Sequence, residues 1–76
     1  MPSAIIVEDE VLAAERLRVL LEECNVVLLN VFHHAMPALE WLSVHEVDIV
    51  FADIGMPEIG YSLLVFATLP YGLAFP

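Results

Sequence analysis

Ala4–Val7 is apolar without a break, then the acidic run Glu8-Asp9-Glu10 interrupts it and a different rhythm begins. A short strand with no polar face is expected where both faces of a sheet are covered. From about Val11 to Glu23 the pattern predicts a helix, with Ala13, Leu17, Leu20 and Cys24 recurring at helical spacing and Ala14 and Leu21 flanking that stripe. Glu15, Arg16, Arg18, Glu22 and Glu23 make its wet face. Asp9 is the predicted N-cap, Glu10 lies near the positive end of the helix dipole, and Asn25 ends the helix. Val26–Phe32 reads as a second strand and His33-His34 as a loop. Met36-Pro37 then opens a short helix with Ala38, Leu39 and Leu42 as its buried stripe, since proline is tolerated in a first turn. Ile49–Ala52 is the third predicted strand, Tyr61–Leu69 a third helix and Tyr71–Phe75 a shortened fourth strand.

This alternation predicts an α/β fold: a flavodoxin-like, doubly wound parallel sheet, incomplete, with about three βα units and a fourth strand. In such sheets ligands sit outside the carboxyl ends of the strands, near the point where strand order reverses. Glu8 and Asp9 follow the first strand and Asp53 follows the third; in a sheet of order 2-1-3 those ends are neighbours. Asp53 alone could simply solvate a strand end and begin a turn. Three carboxylates brought together cannot all ionise unaided, and a hard divalent cation such as Mg²⁺, which takes oxygen ligands, would relieve them.

Composition narrows the partners. The chain has 76 residues, net charge −9 and no lysine; Arg16 and Arg18 are its strong cations. Phosphate binding needs clustered Lys or Arg, so neither nucleic acid nor an anionic membrane surface is an expected partner. Hydrophobic residues make up 61% of the chain, against about 45–50% in an ordinary soluble domain, more than so short a chain can bury alone. Ile59 to Pro76 carries no charge, about the shortest length that spans a bilayer, but Pro70, Gly72 and the missing basic flanks argue against a membrane helix. Cys24, the single cysteine, suits a reducing cytoplasm and is expected as a buried free thiol. His33 and His34 diverge as neighbours and His45 lies elsewhere, so they are expected as solvated residues rather than metal ligands. Trp41, off the Leu39/Leu42 stripe, is expected at the core edge or at an interface.

The stretches "AIIVEDEVLAAERLRVLLEE" and "VDIVFADIGMP" together resemble the receiver domain of two-component response regulators, the first being most similar to regulators with a LytTR-type effector. The resemblance implies residues 1–76 as one truncated receiver domain, cytoplasmic, phosphorylated at Asp53 by a sensor histidine kinase. It implies Mg²⁺ as cofactor, held by Glu8, Asp9, Asp53 and the backbone carbonyl of Gly55, with Met56-Pro57 forming the family's turn. It implies no enzyme activity beyond phosphorylation and dephosphorylation at Asp53. The sequence departs from the family in four ways: roughly three βα units and part of a fourth where the family has five, no counterpart of the Ser/Thr after the fourth strand or the Lys after the fifth, a turn one residue short, and Val11 for the usual proline. An alternative is therefore a degenerate receiver that acts as an interaction or dimerisation module without phosphotransfer. A small phosphohydrolase is a weaker alternative, because glycine holds position 55 where that class carries its second acid. The charge-free segment leads to one further expectation, a homodimer through residues 61–75, since a helix apolar on every side and an open strand edge both need cover.

Overall fold

The computed structural model of the protein describes residues 1–53 and 72–74. Within them the chain runs β1 (Ser3–Val7), α1 (Val11–Glu23), β2 (Val27–Phe32), α2 (Ala35–Leu42), β3 (Ile49–Ala52) and β4 (Gly72–Ala74). The strands form one sheet of order β2-β1-β3-β4, every pair parallel. This is the flavodoxin-like α/β architecture the alternation predicts. The predicted helix Tyr61–Leu69, Gly55 and the Met56-Pro57 turn lie outside the described residues.

β1 holds the centre, and its alternation divides the core in two. Ile5 and Val7 pack on one side with Val50 and Ala52 of β3, Ala35, Ala38 and Leu42 of α2, and Val47. Ile6 packs on the other with Ala14 and Leu21 of α1, and Leu28, Val31 and Phe51 lean against that cluster. Ile5, Ile6, Val7 and Val50 are the largest fully buried side chains, each worth about 1.5–3 kcal/mol on leaving water. Among the described residues one helix covers each face of the sheet, which is the meaning of the uninterrupted apolar run. At the opposite end from the acids, the Ser3 backbone N–H and hydroxyl both donate to Asp48 Oδ2, at 2.7 and 3.2 Å, tying the start of β1 to the entry of β3.

The register between β1 and β2 slips after Ala4, so that Ala4 pairs with Leu28 and Ile5 with Asn30, leaving Leu29 as the extra residue. The slip turns both Leu28 and Val31 toward α1, which strict alternation forbids for residues three apart. Leu29 is left exposed at the sheet edge.

Four expectations shift in detail. The buried side of α1 is Ala14 and Leu21 with Leu17 beside them, whereas Leu20 is 55% exposed and Cys24 is exposed. Two stripes at helical spacing exist in this apolar helix, and small Ala14 opposite Ile6 marks the one that approaches the sheet. Cys24 falls past the last turn, in a Schellman stop: Val26 N–H donates to Leu21 carbonyl at 3.0 Å, Asn25 N–H to Glu22 carbonyl at 3.2 Å. Asn25 takes φ 59° there, as predicted for the helix-ending residue. The N-cap of α1 is Glu10, without a side-chain cap bond; Asp9 turns its carboxylate elsewhere. α2 begins at Ala35, one residue before the predicted start, which puts Pro37 where its missing N–H still has no helical partner to serve. Trp41 lies at the core edge, stacked on His45 with centroids 4.2 Å apart, and His45 Nδ1 bonds the Trp41 carbonyl at 2.9 Å.

Candidate metal and phosphoacceptor site

The acids gather at the carboxyl end of β1 because the backbone is pinned there from two sides. Val7 pairs with Ala52, and the ladder runs one residue further: Asp53 N–H donates to the Val7 carbonyl at 3.1 Å. On the other flank Glu8 N–H donates to the Phe32 carbonyl of β2 at 2.9 Å. Glu8 and Asp53 therefore follow directly on paired strand residues, with Asp9 beside them. One carboxylate oxygen from each of Glu8, Asp9 and Asp53 lies within 4.8 Å of the other two.

Their exposures differ, and so do their roles. Glu8 is only 8% exposed, Asp53 is half-buried and Asp9 is open to water. Glu8 Oε2 is buried with no hydrogen-bond partner among the described residues. Ionised carboxylates cannot donate to one another, so Glu8 reaches Asp53 and Asp9 only while it holds a proton. Burial foremost, then the hydrogen bond and charge of Asp53, then those of Asp9, push the Glu8 carboxyl up to about 7. No cation is among the groups acting on Glu8. Arg18 is engaged on the surface of α1 with Glu15 and Glu22.

This donor set fits a hard divalent cation. It offers three carboxylates, one of them with a buried oxygen unpaired among the described residues, and Asp9 is exposed to the water that such an ion keeps. Glu8, Asp9 and Asp53 meet as the sequence predicts; Gly55, the fourth predicted ligand, lies outside the described residues. One neighbour escaped the sequence reading. His33, read as a solvated loop residue and indeed exposed, bonds the Glu8 carbonyl through Nδ1 at 2.8 Å. The clue was its place one residue past the strand that flanks β1.

Comparison with known proteins agrees with this geometry. A family profile described as the response regulator receiver domain matches residues 4–64. No curated protein sequence gives a significant match. Among solved structures, the chain is similar to the signal receiver domain of a modulated diguanylate cyclase from Desulfovibrio desulfuricans G20, presented as an example of alternate folding. The match covers the whole of this chain and 66% of that one, at 29% identity and a TM-score of 0.81.

The raised Glu8 carboxyl sets a pH dependence with a definite sign. A carboxyl that binds its proton more tightly folded than unfolded stabilises the fold at low pH, and that increment is lost as pH rises from 4.5 to about 7. Without metal, the wild-type melting temperature should fall relative to Glu8→Gln between about pH 5 and pH 8, by several degrees, since ~1 kcal/mol moves a domain of this size by ~4–8 °C. Parallel curves for the two proteins across that window would show that Glu8 is not held protonated.

Proposed function

The chain belongs to the response regulator receiver domain family, and from that premise we propose that it is a phosphoacceptor whose Asp53 takes a phosphoryl group from a sensor histidine kinase. The observation that carries this reading is the meeting of Asp53 with Glu8 and Asp9 at the carboxyl ends of β1 and β3. A carboxylate oxygen of Asp53 attacks phosphorus in line. The bond to the kinase imidazole nitrogen breaks, and that nitrogen leaves with the electron pair. Water attacking the resulting acyl phosphate returns Asp53 and inorganic phosphate.

Asp53 lies among like charges, which repel an incoming phosphoryl group as they repel one another. Bound Mg²⁺ would supply the screening positive charge that phosphoryl transfer requires. Asp9 and Asp53 would hold it directly and Glu8 through water, with the Gly55 carbonyl as the family's remaining ligand. The carboxylate of Asp53 is the nucleophile and needs no general base, so no histidine is required to activate it. These 76 residues contain no lysine, so transfer to them alone is expected to be slow. A cytoplasmic setting belongs to the same reading. None of the described helices is long and apolar enough to cross a membrane.

Acetyl phosphate with Mg²⁺ tests this reading by mass spectrometry. One phosphoryl group should appear at Asp53, slowly and sub-stoichiometrically, and Asp53→Asn should remove it. Absence of any adduct would favour a receiver-derived interaction module that has lost phosphotransfer. Fast, complete labelling would show that the missing lysine is unimportant.

We also propose that two copies pair through residues 61–75. The support is the uncharged run from Ile59 to Pro76 and β4, which among the described residues pairs only with β3 and so leaves one edge open. A two-fold dimer is the commonest closed arrangement. Sedimentation at micromolar concentration should give a dimer, split or unfolded by Leu64→Glu combined with Phe66→Glu. A soluble monomer would overturn this.

A further inference from the structure

We propose that His33 is a positioning residue for the acidic pocket: through its Nδ1–H it holds the Glu8 backbone from β2, and so keeps the buried Glu8 carboxylate aimed at the cation. The proposal rests on the metal reading of that pocket and extends it to a residue outside the carboxylates. A carbonyl oxygen can only accept, so the 2.8 Å contact with the Glu8 carbonyl requires the proton on Nδ1. That bond fixes the imidazole tautomer and ring orientation.

Both backbone polar groups of Glu8 are then taken by consecutive residues of one strand end. Its N–H goes to the Phe32 carbonyl at 2.9 Å, and its carbonyl receives His33 Nδ1–H at 2.8 Å. Glu8 needs such a grip more than its neighbours do. It is the buried member of the trio, its Oε2 has no partner among the described residues, and Asp9 and Asp53 both crowd it with like charge. Each of those facts favours a carboxylate swinging out toward water, and a backbone held at both its N–H and its carbonyl narrows the positions from which the side chain can swing. Phe32 supplies half of the restraint with its main chain, which any residue provides. His33 supplies the other half with a side chain, so this half is specific to the sequence. Outer residues that orient a metal site commonly change its affinity by about 10- to 100-fold.

Three measurements on the whole chain test this together. Nitrogen-edited NMR of the histidine rings at about pH 8, above the ordinary imidazole range, should show His33 as the Nδ1–H tautomer. Amide exchange without metal should be faster at Glu8 in His33→Ala than in the wild type, with exchange in β3 unchanged. Mn²⁺ alone, followed by electron paramagnetic resonance, should bind His33→Ala about 10-fold or more weakly. His33→Asn, whose side-chain N–H stands near the place of Nδ1–H, should restore both the slow exchange and the affinity. His33→Gln, whose N–H reaches past that place, should not.

An Nε2–H tautomer, unchanged Glu8 exchange in His33→Ala, or an Asn variant no better than Ala would each overturn the proposal. Failure of the wild type to bind Mn²⁺ would instead sink the metal reading, and with it the proposal's claim on the cation. The tautomer and the exchange rates would still decide whether His33 holds Glu8.

Discussion

The pocket depends on β1 being anchored more strongly than its last carboxylate is repelled. Leaving Glu8 Oε2 buried and unpaired costs about 1–3 kcal/mol, and the crowding by Asp9 and Asp53 adds to that. Against it stand Ile5, Ile6 and Val7 immediately upstream, each fully buried and each worth about 1.5–3 kcal/mol. The strand cannot slide to free its end without uncovering both halves of the core. Strand burial and ladder bonds on both flanks thus hold an arrangement that electrostatics alone would disperse. On the proposed reading a site kept in tension this way is ready for a cation: little of the binding energy is consumed in gathering the ligands.

Much of this was legible in the residues. An apolar run with no polar face named the central strand, and the switch from strand to helical spacing at the acids placed them at a strand end. The two acidic stretches could then be brought together by topology alone, because parallel strands in 2-1-3 order put the ends of β1 and β3 side by side. Glu8, Asp9 and Asp53 meet for that reason.

What the residues did not disclose has physical causes. In α1 the apolar residues run in two neighbouring stripes, the spacing favoured that of Leu20 over that of Leu21, and the choice depends on how closely Ala14 lets the helix approach Ile6. The slipped register at Leu29 is a compromise between strand pairing and the need of Leu28 and Val31 to reach the same helix, which no local pattern encodes. Asp9 reads as a helix cap because aspartate before a helix usually is one, but Glu10 holds the cap position of α1 and the Asp9 carboxylate lies with those of Glu8 and Asp53. His33 joins the site through its backbone neighbour rather than through a ligand motif, so no spacing rule finds it. Residues of the Met56-Pro57 turn and Tyr61–Leu69 lie outside the described residues, and their readings stand as expectations from sequence and family.

On the proposed reading, three carboxylates are held together by the fold and, once all are ionised, relieved by a divalent cation. Thermal melting with and without millimolar Mg²⁺, at a pH above about 7 where Glu8 is ionised, tests it most directly. The wild-type transition should move up with Mg²⁺, less in Asp53→Asn and least in Asp9→Asn. Superimposable wild-type curves would contradict the claim, because carboxylates gathered at this distance and left unrelieved should respond to a cation that fits them.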